Sequence, residues 1–325
     1  MLQAIRDQYA VSLFLEKTVI PVPETIAYDA TVGNQIESEY TIQRRIPGVP
    51  LEDVYHGLDI NEKEHILGQV IDLLAKMEGI QFQTTGQLVA AGSLPDALVV
   101  DGGNTSYNTG LATAPFPARY INPPKTGPPP TTLEEAFADR LRFWDMERGT
   151  RLWKATFPQL SEIIAEMRNL GVFEECSAAP NVLHHWDFES RNIMVEGRNG
   201  LYEVTGLLDW DSVLSVPLVL ARKPPAWLWM SEGEMLSSQE CTDVDLDLDV
   251  DEVELEPAEL RTLFERKMEK RVGIKYLEDA FGKGRWIRRV WRFLLHGVQS
   301  WEDLERFTRF VKEWNNYRDS GKMAA

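Results

Sequence analysis

Residues 183–195 read Leu183-His-His-Trp-Asp-Phe-Glu-Ser-Arg-Asn-Ile-Met-Val195, and further on comes Leu207-Leu-Asp-Trp-Asp211. Within the first run His185, Asp187 and Asn192 fall in the pattern H-x-D-x-x-x-x-N. Asn192 stands immediately before the strand-like residues 193–195. Gly197-Arg-Asn-Gly200 is a turn cluster, because glycine and asparagine tolerate the backbone angles of a tight reversal. Residues 202–208 return as a second strand that ends at Asp209. In an antiparallel hairpin the start of one strand lies beside the end of the other, about 5 Å away. Asn192 and Asp209 are therefore expected side by side. An amide oxygen next to a carboxylate suits a hard divalent cation such as Mg2+, which takes a few protein oxygens and completes its shell with phosphate.

Asp187 lies on the loop before the hairpin, within reach of the same point. A carboxylate there can orient a hydroxyl and accept its proton as the hydroxyl attacks a metal-bound phosphate. His185 is placed to hold the loop by hydrogen bonding. The plainer reading makes Asp187, Asn192 and Asp209 three turn or cap residues, but two independent spacings agree with one local geometry. A zinc centre on His184 and His185 finds little support: His56, His65 and His296 lie in unrelated settings, and zinc needs three or four ligands. His184 reads as a strand or core residue. Asp211 stays open between contact with a cationic substrate or second metal and capping of the next segment. Trp186, Trp210, Trp227 and Trp229 read as core packing, with an aromatic wall for an ammonium group as the alternative.

The chain around this segment has 325 residues, enough for about two domains or lobes at ~100–200 residues each. Its 43 % hydrophobic and 10 % aromatic content supplies sizeable cores and excludes wholesale disorder. Lys+Arg 34 against Asp+Glu 51 gives a formal charge of −17, which argues against nucleic-acid or anionic-membrane partners, since phosphate backbones need a basic face. Cys176 and Cys241 form no C-x-x-C pair, so a disulfide framework is not expected. No apolar run approaches the ~18 residues of a membrane span. Arg6, Asp7, Glu16 and Lys17 interrupt any signal-peptide core. A soluble cytoplasmic protein is the expectation.

Leu2, Ile5, Tyr9 and Leu13 mark a first helix with one buried face, ending before Pro21-Val22-Pro23. Strand-like runs follow at 25–28 and 39–46. A helix is expected from Asn61, capped with Glu64 as partner, and carrying the stripe Ile66, Val70, Leu73, Leu74 and Met77. Residues 84–130, rich in Gly, Pro, Thr and Ser, read as a long irregular excursion. Helices resume at the capping box Thr132-Leu-Glu-Glu135 and continue to about residue 170. Residues 258–317 are helical again, with Ser300 and Asp303 as a cap pair. Between them, residues 243–259 hold nine acids and no base, a solvated insert supplying −9 of the −17. The fold class is α+β: a small β-containing piece, then a large helical part with a hairpin embedded in it.

The loop His185–Asn192 with Asp209 resembles the catalytic segment of the aminoglycoside phosphotransferase family, relatives of choline kinases within the protein-kinase-like fold. Thr18-Val-Ile-Pro-Val-Pro23, Tyr40-Thr-Ile-Gln-Arg-Arg-Ile-Pro-Gly48 and Trp227-Leu-Trp229 are similar to fungal-type members. The resemblance implies a two-lobed fold with a truncated N-lobe over residues 1–47 and a mainly helical C-lobe over 48–325. It implies Asp187 as catalytic base, with His185 in the same loop, and Asn192 and Asp209 as Mg2+ ligands. It also implies that the backbone of Arg44 and Ile46 meets the adenine of ATP, with Gln43 behind it. The implied activity is ATP-dependent phosphoryl transfer to the hydroxyl of a small molecule.

Members of the family begin with a glycine-bearing phosphate loop and a strand lysine that pairs with a helix acid. Asp7 stands about where that acid would be, with no such lysine upstream. The expectation is that upstream coding sequence supplies the missing hairpin and lysine, and that the Leu2, Ile5 and Tyr9 face is made to pack against it. A kinase-like binding module without catalysis, or a truncated gene product, is the second reading.

Overall fold

The computed structural model describes residues 2–92, 97–99, 111–114, 128–145, 149–173, 179–211, 213–229 and 258–320. Helix α1 (Leu2–Leu15) ends where Thr18 Oγ1 donates to the Leu15 carbonyl, just before the two prolines. Strands β1 (Thr25–Asp29) and β2 (Tyr40–Gln43) pair antiparallel across a turn built on Asn34, whose amide donates to the carbonyls of Thr31 and Ser38. After β3 (Val49–Pro50) and the short α2 (Glu52–Tyr55) comes α3 (Ile60–Glu78). Its cap is Asp59, not Asn61. The Asp59 carboxylate accepts the amides of Asn61 and Glu62, and Glu62 accepts the Asp59 amide at 2.9 Å. A carboxylate answers both the orphan amides and the helix dipole, so it displaces the weaker asparagine signal two residues on. The expected stripe from Ile66 to Met77 is buried.

Strands β4 (Gln81–Phe82), β5 (Gly86–Ala90), β6 (Ala97–Val99) and β7 (Leu111–Ala114) follow. Next are α4 (Leu133–Asp145), α5 (Arg151–Asn169), β8 (Asn181–His184), β9 (Ile193–Arg198), β10 (Leu201–Leu207), β11 (Leu214–Pro217) and α6 (Leu218–Ala221). Helices α7 (Ala258–Val272), α8 (Lys275–Phe281), α9 (Lys283–His296) and α10 (Trp301–Asp319) complete the order. The Ser300–Asp303 capping box opens α10 as expected. At α4 the Thr132 hydroxyl accepts the Glu135 amide, but Glu135 turns its carboxylate to Thr131 instead.

The strands form three sheets in the orders β2-β1-β6, β10-β9-β3 and β4-β8-β11-β5-β7. Two expectations are corrected here. Residues 84–130 are not a purely irregular excursion: β5 lies between β11 and β7, and β6 pairs with β1. These strands are three to five residues long and are made by their partners, not by their own composition. The face of α1 does not await strands from elsewhere. Tyr9 is fully buried and stacks on Tyr28 with centroids 4.0 Å apart, and Ala10, Leu13 and Ala30 close a small core against Ile5, Ala90 and Leu111. Asp7 accepts the Ala90 amide at 3.0 Å. Residues 243–257 of the acidic run lie outside the described residues.

Two larger cores lie on either side of the β8–β11 ladder. Leu183 joins α3, α7 and the β9–β10 hairpin in one. Leu214 and Val216 join α4, α5, α9 and α10 in the other. Buried Arg222 binds the first core together: its guanidinium takes both oxygens of Glu78 at 2.9 and 3.0 Å and Asp279 at 3.0 Å. No helix among the described residues is long and apolar enough to cross a membrane.

Gly48 fixes where the N-terminal strands meet the hairpin. Its φ is +104°, and a Cβ there would stand 2.1 Å from the Val195 carbonyl oxygen. Gly48→Ala should lower unfolding free energy by about 2 kcal/mol or more, from the strained backbone and the forced retreat of β9. Gly33→Ala, where an added Cβ meets nothing within 4 Å, should change it by less than about 0.5 kcal/mol. Urea unfolding of both variants measures the difference.

Candidate active site

Strand β8 ends at His184, and the chain leaves the sheet in two tight turns. The Glu189 amide donates to the Asp187 carbonyl at 2.9 Å, and the Asn192 amide to the Glu189 carbonyl at 3.0 Å. Residues Ser190–Asn192 form one 3-10 turn, which delivers Asn192 to the head of β9. This wrapping puts both ends of the loop at the Leu208 peptide. The Leu208 amide donates to the Asn192 carbonyl at 2.8 Å, and the Leu208 carbonyl accepts from His185 Nε2 at the same distance. The expected adjacency of Asn192 and Asp209 thus holds at the backbone.

His185 is 2 % exposed, with the Trp210 ring edge-on at 4.6 Å. A carbonyl partner demands a proton on Nε2, which fixes the tautomer. Burial pulls the imidazole pKa down; the Leu208 carbonyl and the charges of Asp187 and Asp209 pull it up without cancelling that effect. His185 holds the loop to the hairpin and is a positioning residue.

Both oxygens of Asp187 are engaged. Oδ1 meets Arg191 Nη2 at 2.5 Å, and Oδ2 accepts from Asn192 Nδ2 at 2.8 Å. The same Nδ2 also reaches the Asp187 carbonyl at 2.9 Å. Two acceptors on one side assign the nitrogen of that amide, so Asn192 Oδ1 faces away from Asp187. Asp209 is exposed with φ +60°, a left-handed conformation that aspartate tolerates better than most residues. Asp211 accepts from Gln8 Nε2 on α1. Desolvation and then the like charge of Asp209 raise the Asp211 pKa, while the Gln8 bond lowers it. Among the described residues no group of three or more His, Cys, Asp or Glu is set to hold a metal. A site of Asn192 and Asp209 has only two protein oxygens, the number that suits Mg2+ shared with phosphates.

Arg191 is the residue the sequence reading passed over. Its signal is a base four residues after Asp187, inside a segment too tightly wound for the two side chains to avoid each other. The proposed nucleotide residues are less concentrated. Gln43 ends β2 and is exposed. The Arg44 amide donates to the Glu24 carbonyl at 2.7 Å and its guanidinium meets Glu24 at 2.6 Å. Ile46 packs over Gly206, where an added Cβ would come within 2.1 Å of its side chain. Trp210, Trp227 and Trp229 are buried in the core, and Trp186 is only partly buried.

The model of the phosphotransferase enzyme family (APH) matches residues 2–218, and the chain belongs to that family. Comparison with curated proteins gives no match. Among solved structures, a thermostable mutant of aminoglycoside phosphotransferase APH(4)-Ia is 15 % identical, over 96 % of this chain and 84 % of that one, with a TM-score of 0.47. Plasmodium vivax ethanolamine kinase is 13 % identical, over 98 % and 74 %, with a TM-score of 0.46. ADP-bound aminoglycoside phosphotransferase APH(2'')-Ib is 15 % identical, over 94 % and 79 %, with a TM-score of 0.42.

The depressed pKa of His185 makes stability depend on pH. Its ordinary value is 6.5, so the unfolded chain takes up a proton as pH falls through that point while the native ring stays neutral. Native stability is therefore lost as pH falls from 6.5 towards the folded pKa, by up to ~1.4 kcal/mol per pH unit. His185→Gln removes this contribution. Urea unfolding at pH 7.5 and 5.5 should show a smaller pH-dependent loss in the variant than in the parent; equal losses would contradict a neutral buried imidazole.

Proposed function

We propose that this chain transfers the γ-phosphoryl group of ATP to a hydroxyl of a small molecule, with Mg2+, and that Asp187 is the base. One observation carries the reading: the Asp187 carboxylate is clamped between Arg191 and Asn192, and the far side of the Asn192 amide lies beside Asp209. Membership of the phosphotransferase family supports the reaction class.

The acceptor oxygen attacks the γ-phosphorus. The bond from that phosphorus to the oxygen bridging the β-phosphate breaks, ADP leaves, and the hydroxyl proton passes to Asp187. Arg191 keeps Asp187 ionised and fixes its direction, and each oxygen retains acceptor capacity for the incoming hydroxyl. In the loose transition state of phosphoryl transfer the proton moves late, so orientation matters more than basicity. Asn192 Oδ1 and the Asp209 carboxylate are the hard oxygens that would hold Mg2+. When bound, the ion neutralises phosphate charge. Gln43, Arg44 and Ile46 are the residues we assign to the adenine end.

Asp187→Asn should lower turnover of Mg-ATP, with water or a panel of small alcohols as acceptor, by ~10²–10⁴ while nucleotide affinity changes little. Asp209→Asn keeps the left-handed backbone but removes a charged ligand, a loss of ~1.5–3 kcal/mol, or roughly 10–100-fold in affinity. Calorimetric titration with ATP should show that loss in the presence of Mg2+ and not in EDTA. Full turnover in active Asp187→Asn protein, or equal weakening with and without Mg2+, would count against these roles.

A further inference from the structure

On the other side of the same loop lies a cavity of about 550 Å³, its open mouth included. It sits between the β8–β11 ladder and the inward face of α9. His184, Trp186, Lys223, Trp291, Arg292 and His296 line it, over an aliphatic floor. Side chains alternate along an extended segment. His185 therefore turns to the hairpin, while His184 and Trp186 turn to this cavity, with Trp186 one residue from Asp187. Trp186 and His296 meet edge-on at 6.0 Å, so the wall nearest the loop is aromatic.

The charges on this wall have one sign. Arg288 also reaches the cavity, and its guanidinium is anchored on the carbonyls of Val219, Asp279 and Ala280, neutral acceptors that leave the positive charge in place. With Lys223 and Arg292 that makes three cations, and no Asp or Glu is among the described residues of the lining. In a chain where acids outnumber bases 51 to 34, this is a local reversal. A concave site with low-dielectric walls focuses such a field. It repels an ammonium group and attracts a carboxylate or phosphate, which arginine can grip through two parallel hydrogen bonds.

Resting on the phosphotransferase reading above, we infer that the acceptor is a hydroxy compound bearing an acid group on an aromatic or otherwise flat apolar body. The acid end lies by Lys223 and Arg292, the body against Trp186 and Trp291, and the hydroxyl points towards Asp187. An amine-bearing alcohol is excluded by charge.

Three probes of one skeleton test this in the full chain by isothermal titration calorimetry: 3-(4-hydroxyphenyl)propionate, its alcohol counterpart tyrosol, and its amine counterpart tyramine. The acid should bind saturably and at least tenfold tighter than tyramine, with tyrosol between, and its affinity should fall with added salt. The double variant K223Q/R292Q should lose at least tenfold for the acid and little for tyrosol; each single variant, expected to lose less, guards against misfolding of the double. Equal affinities, tighter tyramine binding or no saturable binding of the acid overturns the inference. So does a comparable loss of Mg-ATP affinity in K223Q/R292Q, which would give the cavity to the nucleotide. Titration of Mg-ATP into Asp209→Asn runs alongside. Acid preference without Asp209-dependent Mg-ATP binding would sink the phosphotransferase reading and leave the cavity's charge selectivity standing; Asp209-dependent Mg-ATP binding without acid preference would do the reverse.

Discussion

Everything at the candidate site depends on one peptide, that of Leu208, held at both ends. Its amide is taken by the Asn192 carbonyl and its carbonyl by His185. Those two residues bracket the catalytic loop, so the loop cannot shift without breaking a buried hydrogen bond, and leaving such a group unpaired costs ~1–3 kcal/mol. The constraint also explains the backbone of Asp209. With Leu208 fixed and the Trp210 indole donating to the Leu207 carbonyl at 2.9 Å, the chain must reverse within one residue, and Asp209 takes a positive φ to do it. A residue at a strained angle beside a polar cluster is a common mark of function, because nothing about stability alone would select it. The neutrality of His185 belongs to the same device: a buried imidazolium would forfeit solvation that one carbonyl does not replace.

The loop is rigid because of where the chain runs before and after it. Residues 185–192 are pinned by the β8–β11 ladder on one side and the β9–β10 hairpin on the other, with Leu214 opposite His184 and Leu207 opposite Ile193. Each ladder is backed by a different hydrophobic core, so the loop emerges at a seam, the one place where polar side chains can be held firmly and still reach solvent. Arg222 reinforces one side of that seam. A buried arginine between two carboxylates is weak evidence for net stability, since desolvation offsets most of the attraction. Its directional bonds nevertheless join the C-terminal end of α3 to α8, and α3 in turn carries the hairpin: Gln69 donates to the Tyr202 carbonyl at 3.0 Å and accepts the Val204 amide at 2.7 Å.

The legible part of this architecture is the part whose contacts are close in sequence. Residues 183–211 contain the loop, both hairpin strands and the turn between them, so spacing alone brought Asn192 to Asp209. The same holds for the stripe on α3 and for the Ser300 cap. What escaped was set by distant partners. Strand β6 exists because Ala97, Leu98 and Val99 meet Asp29, Tyr28 and Ala27, some seventy residues earlier, and nothing in a three-residue run announces that. The face of α1 looked unpartnered because its cover comes from Tyr28, Ala90 and Leu111, scattered over three strands. Arg191 was hidden differently: it sat inside the stretch that was read most closely, but its pairing with Asp187 requires the 3-10 winding of residues 190–192, and a motif of letters carries no winding.

Net charge bears on function at two length scales. A formal −17, of which nine charges fall in residues 243–259, excludes partners that read the surface as a whole, such as a nucleic-acid backbone. It does not govern a small ligand in a cleft. At physiological salt the Debye length is ~8 Å, so acids on remote surfaces are screened, while groups in a partly buried wall are screened much less. Within that distance the sign is set by Lys223, Arg288 and Arg292 on one side of the loop and by Asp187, Asp209 and Asp211 on the other. The loop thus separates a positive compartment from a negative one across a few residues. A site that carries phosphate towards an acceptor has use for that polarity: the acidic side matches a metal-neutralised nucleotide, the basic side an acceptor that brings no counterion. Composition therefore limits which macromolecules can dock, and the placement of a few side chains along the β8–β11 ladder, α6 and α9 decides which small molecules can enter.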